Sequence, residues 1–295
     1  MVIHYIMAFA AFLKQGAPGR RRRMHLMSNT PLITLGLFTD AHYGPHPYAD
    51  RDCPGSLARL RTALAGFAAA GISLVVNLGD AVDSALSGAD DRALCAEVRE
   101  ACAGFPGQVR HVIGNHDVQT LGKAEFLAAV GVPPEPYYSF DAGGVHCIVL
   151  DGNCHEDGTD FFRGDFSWDD AWVSEAQLHW LEDDLTRATG RPALVFCHEC
   201  LDDFLWEGDP DPHVVGNAPA VREILRRAGV RAVFQGHYHD GRRLAVDGIP
   251  YVTLPSLATG EHAVIVKLYE EGVPEILTLT AMGNHNARPG GRVGE

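Results

Sequence analysis

Ser73-Leu-Val-Val-Asn-Leu-Gly-Asp80-Ala-Val-Asp83 is a short apolar run that stops on a glycine and two carboxylates. Its length and bounding turn residues suit a buried strand, and a glycine at the stop permits a sharp turn and close backbone approach. The device recurs. Leu35-Gly-Leu-Phe-Thr runs into Asp40-Ala-His42, and Val109-Arg-His-Val-Ile runs into Gly114-Asn115-His116-Asp117. Ala193-Leu-Val-Phe-Cys ends at His198-Glu199, and Ala232-Val-Phe-Gln runs into Gly236-His237-Tyr-His239. Each block alone is weak, since the chain holds 15 histidines and an H-x-H triplet arises readily by chance. Together, five strand ends bearing carboxylate, imidazole and amide groups are expected to converge on one cavity, because ligands bind at the carboxyl ends of strands in α/β sheets.

Outward from these blocks the pattern alternates. Strands are expected at 33–39, 73–78, 109–113, 145–150, 193–196 and 232–235, with helices at 56–70, 89–101, 123–130, 174–188 and 218–228. That alternation predicts an α/β fold. Residues 249–254, 263–269 and 275–280 read as consecutive strands with short turns, an antiparallel meander that makes the sheet system mixed (α+β in part). Residues 152–173 carry Asp, Gly, Phe and Trp without periodicity and predict a long ordered, lid-like loop.

The division expected is one domain over 31–282, an extension over 1–30 and a flexible tail over 283–295. The apolar stretch 1–13 precedes Arg20 to Arg23, the reverse of a secretory signal, and is too short for a membrane span. The extension therefore reads as disordered, or as a start placed too early, with Met24 or Met27 as the beginning. A net charge of -14 argues against a nucleic-acid duplex as partner, though bound metal can reverse the sign locally for a small anionic substrate. Of the 7 cysteines only Cys197 and Cys200 have C-x-x-C spacing, and together they match neither a disulfide framework nor a zinc ribbon, which points to a reducing, cytoplasmic home.

The donor types suit hard or borderline divalent ions such as Mn, Fe, Zn or Co. Asp80 is the natural bridge, giving an oxygen to each of two ions. Lowering the pKa of bound water from about 15.7 to roughly 7 is worth about 12 kcal/mol, beyond any isolated side-chain base. Tyr43 and His46 follow the first block closely and are candidates to line a pocket. Arg163 and Trp168 in the unpatterned loop are candidates to clamp a phosphate and stack on a base. His155, His213 and His262 lie in loops and receive no role. Motifs for serine hydrolases, P-loop enzymes and dinucleotide binders are absent.

D-x-H, G-D-x-x-D, G-N-H-D, a lone His and G-H-x-H, in that order from Asp40 to His239, resemble the signature of the calcineurin-like metallophosphoesterase superfamily, with no position departing from it. The resemblance implies a four-layer α-β-β-α sandwich of two mixed sheets with a dinuclear metal site at the strand ends. It implies that Asp40, His42 and His239 hold one ion, that Asn115, His198 and His237 hold the other, and that Asp80 joins them. His116 would contact the scissile phosphate and protonate the leaving oxygen, Asp117 would orient His116, and Asp83 would support the ligands from behind. Tyr137-Tyr138-Ser139-Phe140 and Glu175-Ala-Gln-Leu-His-Trp-Leu181 are similar to the branch holding bacterial cyclic-nucleotide phosphodiesterases and ADP-ribose/CDP-alcohol diphosphatases. The implied activity is hydrolysis of a small phosphate mono- or diester, a nucleotide-type diester or diphosphate above all, by metal-bound hydroxide. The rival is a non-catalytic metal-binding scaffold of the same fold, which would be expected to lack ligands or His116.

Overall fold

Alternate residues of a strand face opposite ways, and the central strands of this chain are apolar on both faces. The computed structural model describes residues 30–83 and 88–279. The extension and tail expected at 1–30 and 283–295 lie outside these, Thr30 excepted. The chain runs β1 (Ile33–Phe38), α1 (Cys53–Ala69), β2 (Leu74–Asn77), α2 (Gly88–Ala103), β3 (Gln108–His111) and α3 (Lys123–Val130). It continues through β4 (Tyr138–Ala142), β5 (Val145–Val149), α4 (Glu175–Arg187), β6 (Ala193–Phe196), β7 (Leu205–Trp206) and β8 (Asp209–Pro210). It closes with α5 (Ala218–Ala228), β9 (Ala232–Gln235), β10 (Arg242–Val246), β11 (Ile249–Thr253), β12 (Val264–Leu268) and β13 (Glu275–Thr278).

Two sheets stack face to face. One has the order β13-β12-β1-β2-β3 and the other β10-β11-β9-β6-β5-β4. Between them Leu35, Leu37, Val76, Cys147, Phe196 and Phe234 belong to one buried cluster. The outer face of the first sheet packs on α1, α2 and α3 through Phe67, Val98 and Phe126. The outer face of the second packs on α4 and α5 through Leu181, Val195 and Leu225. The result is the expected four-layer α-β-β-α sandwich. Gly36 shows how tight it is: an added Cβ would sit 2.7 Å from the ring of Phe67. All 7 cysteines are free and buried.

Both sheets are mixed, with β1-β2-β3 parallel and β12 antiparallel to β1. In the other sheet β5-β6-β9-β11 are parallel, and β4 and β10 are antiparallel edges. The expected C-terminal meander is corrected here. β11 and β12 belong to different sheets, and β11 has β10 as its antiparallel neighbour. The segment between β11 and β12 crosses from sheet to sheet, and its Leu257 and Ala258 N–H groups bond to the carbonyls of Thr39 and Asp40. The crossover therefore pins the first ligand turn.

The long loop after β5 is ordered by burial and charge. Phe161 is fully buried, and the buried ammonium-bearing arm of Lys123 pairs with Asp151 at 2.6 Å and also with Asp160. Gln177 of α4 donates to the Asp151 carbonyl at 2.7 Å and accepts from its N–H at 2.9 Å, which fixes where the loop begins. No described helix is long and apolar enough to cross a membrane.

Candidate metal centre

The strand ends bring the five blocks together. Among the described residues, Asp40, His42 and His239 place ligand atoms within 4.8 Å of one another, and so do Asp80, His198 and His237. His42 Nε2 lies 3.0 Å from His239 Nε2, and Asp40 Oδ1 lies 3.4 Å from the same His239 atom. Asp80 joins the groups by a single atom: its Oδ2 is 3.5 Å from His42 Nε2 and 3.3 Å from His198 Nε2. Asp80 Oδ1 is already taken, accepting from the His116 N–H at 2.9 Å. One oxygen of Asp80 thus faces both clusters.

The turns that carry these groups are strained. Asp40, His42, Asp80 and His237 have φ of 51°, 45°, 52° and 69°, in the left-handed region L residues rarely occupy. The accompanying glycines are required by proximity. A Cβ on Gly114 would lie 2.2 Å from Asp80 Oδ1, and one on Gly236 would lie 2.1 Å from Thr39 Oγ1.

The residues fit a pair of cations. Asp40 Oδ1, His198 Nε2 and both side-chain polar atoms of Asn115 are buried with no hydrogen-bond partner, a costly state unless something else answers them. Burial would raise the Asp40 carboxyl, but His198, His239 and His42 outweigh it and hold it well below the usual range. Burial would lower His42, yet Asp40, Asp83 and Asp80 push it up to about 9. A cluster that draws protons onto its imidazoles in this way is one that calls for positive charge. His237 runs opposite: burial, then His198 and His213, lower it to about 3. It is thereby left neutral, as a ligand must be.

His42, His198 and His237 are each held from behind. Asp83 Oδ2 lies 3.4 Å from His42 Nδ1, and Arg51 Nη1 lies 3.0 Å from both. His198 Nδ1 sits 2.9 Å from the Leu78 carbonyl, and His237 Nε2 donates to the Trp168 carbonyl at 2.8 Å. Such partners fix ring orientation and tautomer.

The expected pairing of Asp117 with His116 is corrected. Asp117 is buried and accepts from the N–H groups of Asp80, Ala81 and Gly114 at 2.8–2.9 Å, so it shapes the two turns that bear ligands. The resemblance implied contact with His116, but the carboxylate is occupied by these backbone N–H groups. The carboxylate facing His116 is Asp83, with Oδ1 3.4 Å from Nδ1.

A cavity of about 720 Å³ opens over the cluster. Trp168 and His116 line it. Tyr43, His46 and Arg163 are not among its lining residues. The Tyr43 hydroxyl donates to Glu97 at 2.8 Å, His46 is exposed on the turn after the first block, and Arg163 pairs with Glu125 at 2.8 Å. Arg51, Phe166 and His213 line the cavity without having been expected there. Arg51 and Phe166 sit in no motif. His213 had a signal, since Asp211-Pro-His213 repeats the D-x-H triplet of Asp40-Ala-His42.

Comparison with known proteins bears on the same region. The family model described as calcineurin-like phosphoesterase matches residues 33–241. The serine/threonine-protein phosphatase CPPED1 of Mus musculus is 37% identical over 139 residues, 43% of this chain and 40% of that protein. A probable cyclic nucleotide phosphodiesterase of Rhodococcus erythropolis is 25% identical over 209 residues, 68% of this chain and 62% of the other. The chain thus spans less than half the length of the curated phosphatase it matches. A dimetal phosphatase from Danio rerio shares the fold with a TM-score of 0.66 at 20% identity, covering 85% of this chain and 100% of that structure. The matched region starts at β1 and runs through the turn carrying His237 and His239, so it contains every strand end described above: the chain belongs to the calcineurin-like phosphoesterase family.

Proposed function

We propose that the chain is a dinuclear metal-dependent phosphoester hydrolase acting on a small phosphate ester, with nucleotide-type diesters or diphosphates favoured over simple monoesters. The observation that carries the proposal is Asp80 Oδ2 facing His42 and His198 alike, amid buried ligand atoms that have no hydrogen-bond partner. Asp40, His42 and His239 would hold one ion, and Asn115, His198 and His237 the other, with Asp80 shared. When bound, two divalent ions supply the Lewis acidity that ionises water and offsets phosphate charge.

The chain's own side chains supply the rest. His116 stands at the cavity wall with its ring 4.8 Å from that of His42 and 5.6 Å from Phe166. Braced by Asp83, it is placed to give a proton to the leaving oxygen. Trp168, half-exposed on the long loop, offers a flat apolar surface to the organic part of the ester. The cavity falls in the size range of small-molecule sites. The name of the Rhodococcus relative, a phosphodiesterase, supports the preference for diesters. The proposal takes residues 31–282 as one domain, and the free buried cysteines support a reducing, cytoplasmic setting.

The test is a panel of phosphate mono- and diesters assayed with Mn, Fe, Zn, Co and Mg, beside metal analysis of the purified protein. Two ions per chain and metal-dependent turnover are expected. A protein that binds two ions yet hydrolyses no ester would be a scaffold of the same fold instead.

A further inference from the structure

Among the described residues that line the cavity, Arg51 alone brings a guanidinium. The wall also carries the carboxylates of Asp50, Asp80, Asp83 and Asp240, but no lysine and no other arginine. The Arg51 side chain is only 8% exposed, a setting arginine rarely takes without partners. One nitrogen is answered: Nη1 lies 3.0 Å from both Asp83 Oδ2 and His42 Nδ1. Nε and Nη2 have no hydrogen-bond partner among the described residues. A guanidinium presents its donors as a planar fork that matches the edge of a carboxylate or phosphate. Bracing His42 occupies one end of that fork and leaves the rest open in a residue that lines the cavity.

Its place relative to the ligands is set. Nη1 reaches the Nδ1 edge of His42, whereas Nε2 of that ring faces Asp40, Asp80 and His239. The guanidinium therefore stands a ring's width behind the ligand cluster. Asp83 links it to His116, with Oδ2 facing Arg51 and Oδ1 3.4 Å from His116 Nδ1. Arg51 and His116 thus flank one carboxylate, on the side where His116 meets the leaving oxygen. The backbone holds Arg51 there. Tyr48 and Arg51 exchange N–H···O bonds at 3.1 and 2.9 Å, and the Tyr48 ring covers the guanidinium at 4.7 Å. Asp52, the next residue, caps α1 and donates its N–H to the Ala258 carbonyl at 3.0 Å. The crossover that pins the Asp40 turn pins Arg51 too, so a group that binds it meets a donor already ordered.

We propose that Arg51, held between Asp83, His42 and Tyr48, is a substrate-binding residue that takes a second acidic group, a carboxylate or a phosphate, on the leaving portion of the ester. The favoured substrates are then phosphate esters whose leaving portion is itself anionic, ahead of esters of neutral alcohols. This rests on the phosphoesterase assignment above, and the test reads binding rather than turnover so that the two stand or fall separately.

Manganese-loaded protein is titrated calorimetrically, at one saturating manganese concentration, with propylphosphonate, 3-phosphonopropionate and propane-1,3-bisphosphonate. The wild type should bind the doubly acidic probes about tenfold or more tightly than propylphosphonate, the worth of a hydrogen bond between charged groups. In Arg51→Met that ratio should fall to near one with manganese retained. The ratio is taken within each protein, so weaker bracing of His42 cancels from it. Arg51→Gln, which keeps an N–H donor beside Asp83, should show the same loss and serves should the Met variant fail to fold. A gain confined to one doubly acidic probe would uphold the proposal and name the group as carboxylate or phosphate. A wild type indifferent to the second acidic group, a preference that survives both substitutions, or loss of manganese from both variants would each overturn it. A preference abolished by substitution in a protein that turns over no ester would uphold it while removing the hydrolytic reading.

Discussion

The two halves of the ligand set are braced by different means. His42 is backed by charged side chains, Asp83 and Arg51, which belong to the turns following β1 and β2. His198 and His237 are backed by main-chain carbonyls, of Leu78 and of Trp168. A carbonyl has no charge to lose, and its place is set by the segment that carries it. For His237 that segment is the long loop over the cavity. The first half should therefore answer to substitutions that change charge, and the second to restraints on the loop.

The largest effect should come from the one atom common to both halves. Asp80→Asn removes a charge that faces His42 and His198 together, and should abolish turnover and weaken both sites by more than about 100-fold, beyond what outer partners contribute. Metal analysis alongside activity checks this. Two tightly held ions with near-normal turnover would mean that Asp80 is not shared. His116→Ala comes next. It should keep both ions and lose about 10²–10⁴-fold in turnover, more for a poor alkyl leaving group than for an activated aryl one. Equal loss on both would assign His116 to phosphate positioning, and loss of metal would make it a ligand.

Asp83→Asn separates the halves. It should weaken the Asp40/His42/His239 site by about 10–100-fold and leave the His198/His237 site near wild type, as read by stepwise metal titration. A loss of equal size at both sites would erase the distinction between side-chain and main-chain bracing. The smallest effect on metal is expected of Lys123→Met, which leaves buried Asp151 without its cation. Stability should drop by about 3 kcal/mol, and metal affinity by about tenfold or less, confined to the half that contains His237. If the Asp40 half weakened instead, the loop would not be the brace.

Much of this was legible from residues alone, because ligand types at the ends of apolar runs report both fold and chemistry. Asp40 to His239 meet as the sequence implied. Apart from the two-residue strands β7 and β8, the strands that escaped notice are edges, β4 and β10, where polar and apolar residues mix and exposure weakens the pattern. Both belong to hairpins with turn signals in plain view, Gly143-Gly144 and Asp247-Gly248, whose φ values are all positive. The meander failed for another reason: short spacing between β11 and β12 cannot tell a hairpin from a crossing between sheets. Partners from distant segments were the least accessible. Nothing near His237 in sequence foretells a carbonyl from Trp168, and the family resemblance misassigned Asp117, whose carboxylate serves backbone N–H groups.

The backbone angles of the ligand turns bear on how this protein responds to laboratory evolution. Asp40, His42, Asp80 and His237 each hold a left-handed conformation that costs an L residue about 1 kcal/mol or more and costs glycine nothing steric. A screen that rewards heat resistance alone would find its easiest gains there, replacing ligands by glycine and filling the library with robust, inert variants. Thermal selection on this scaffold is therefore informative only when every round also scores retained metal.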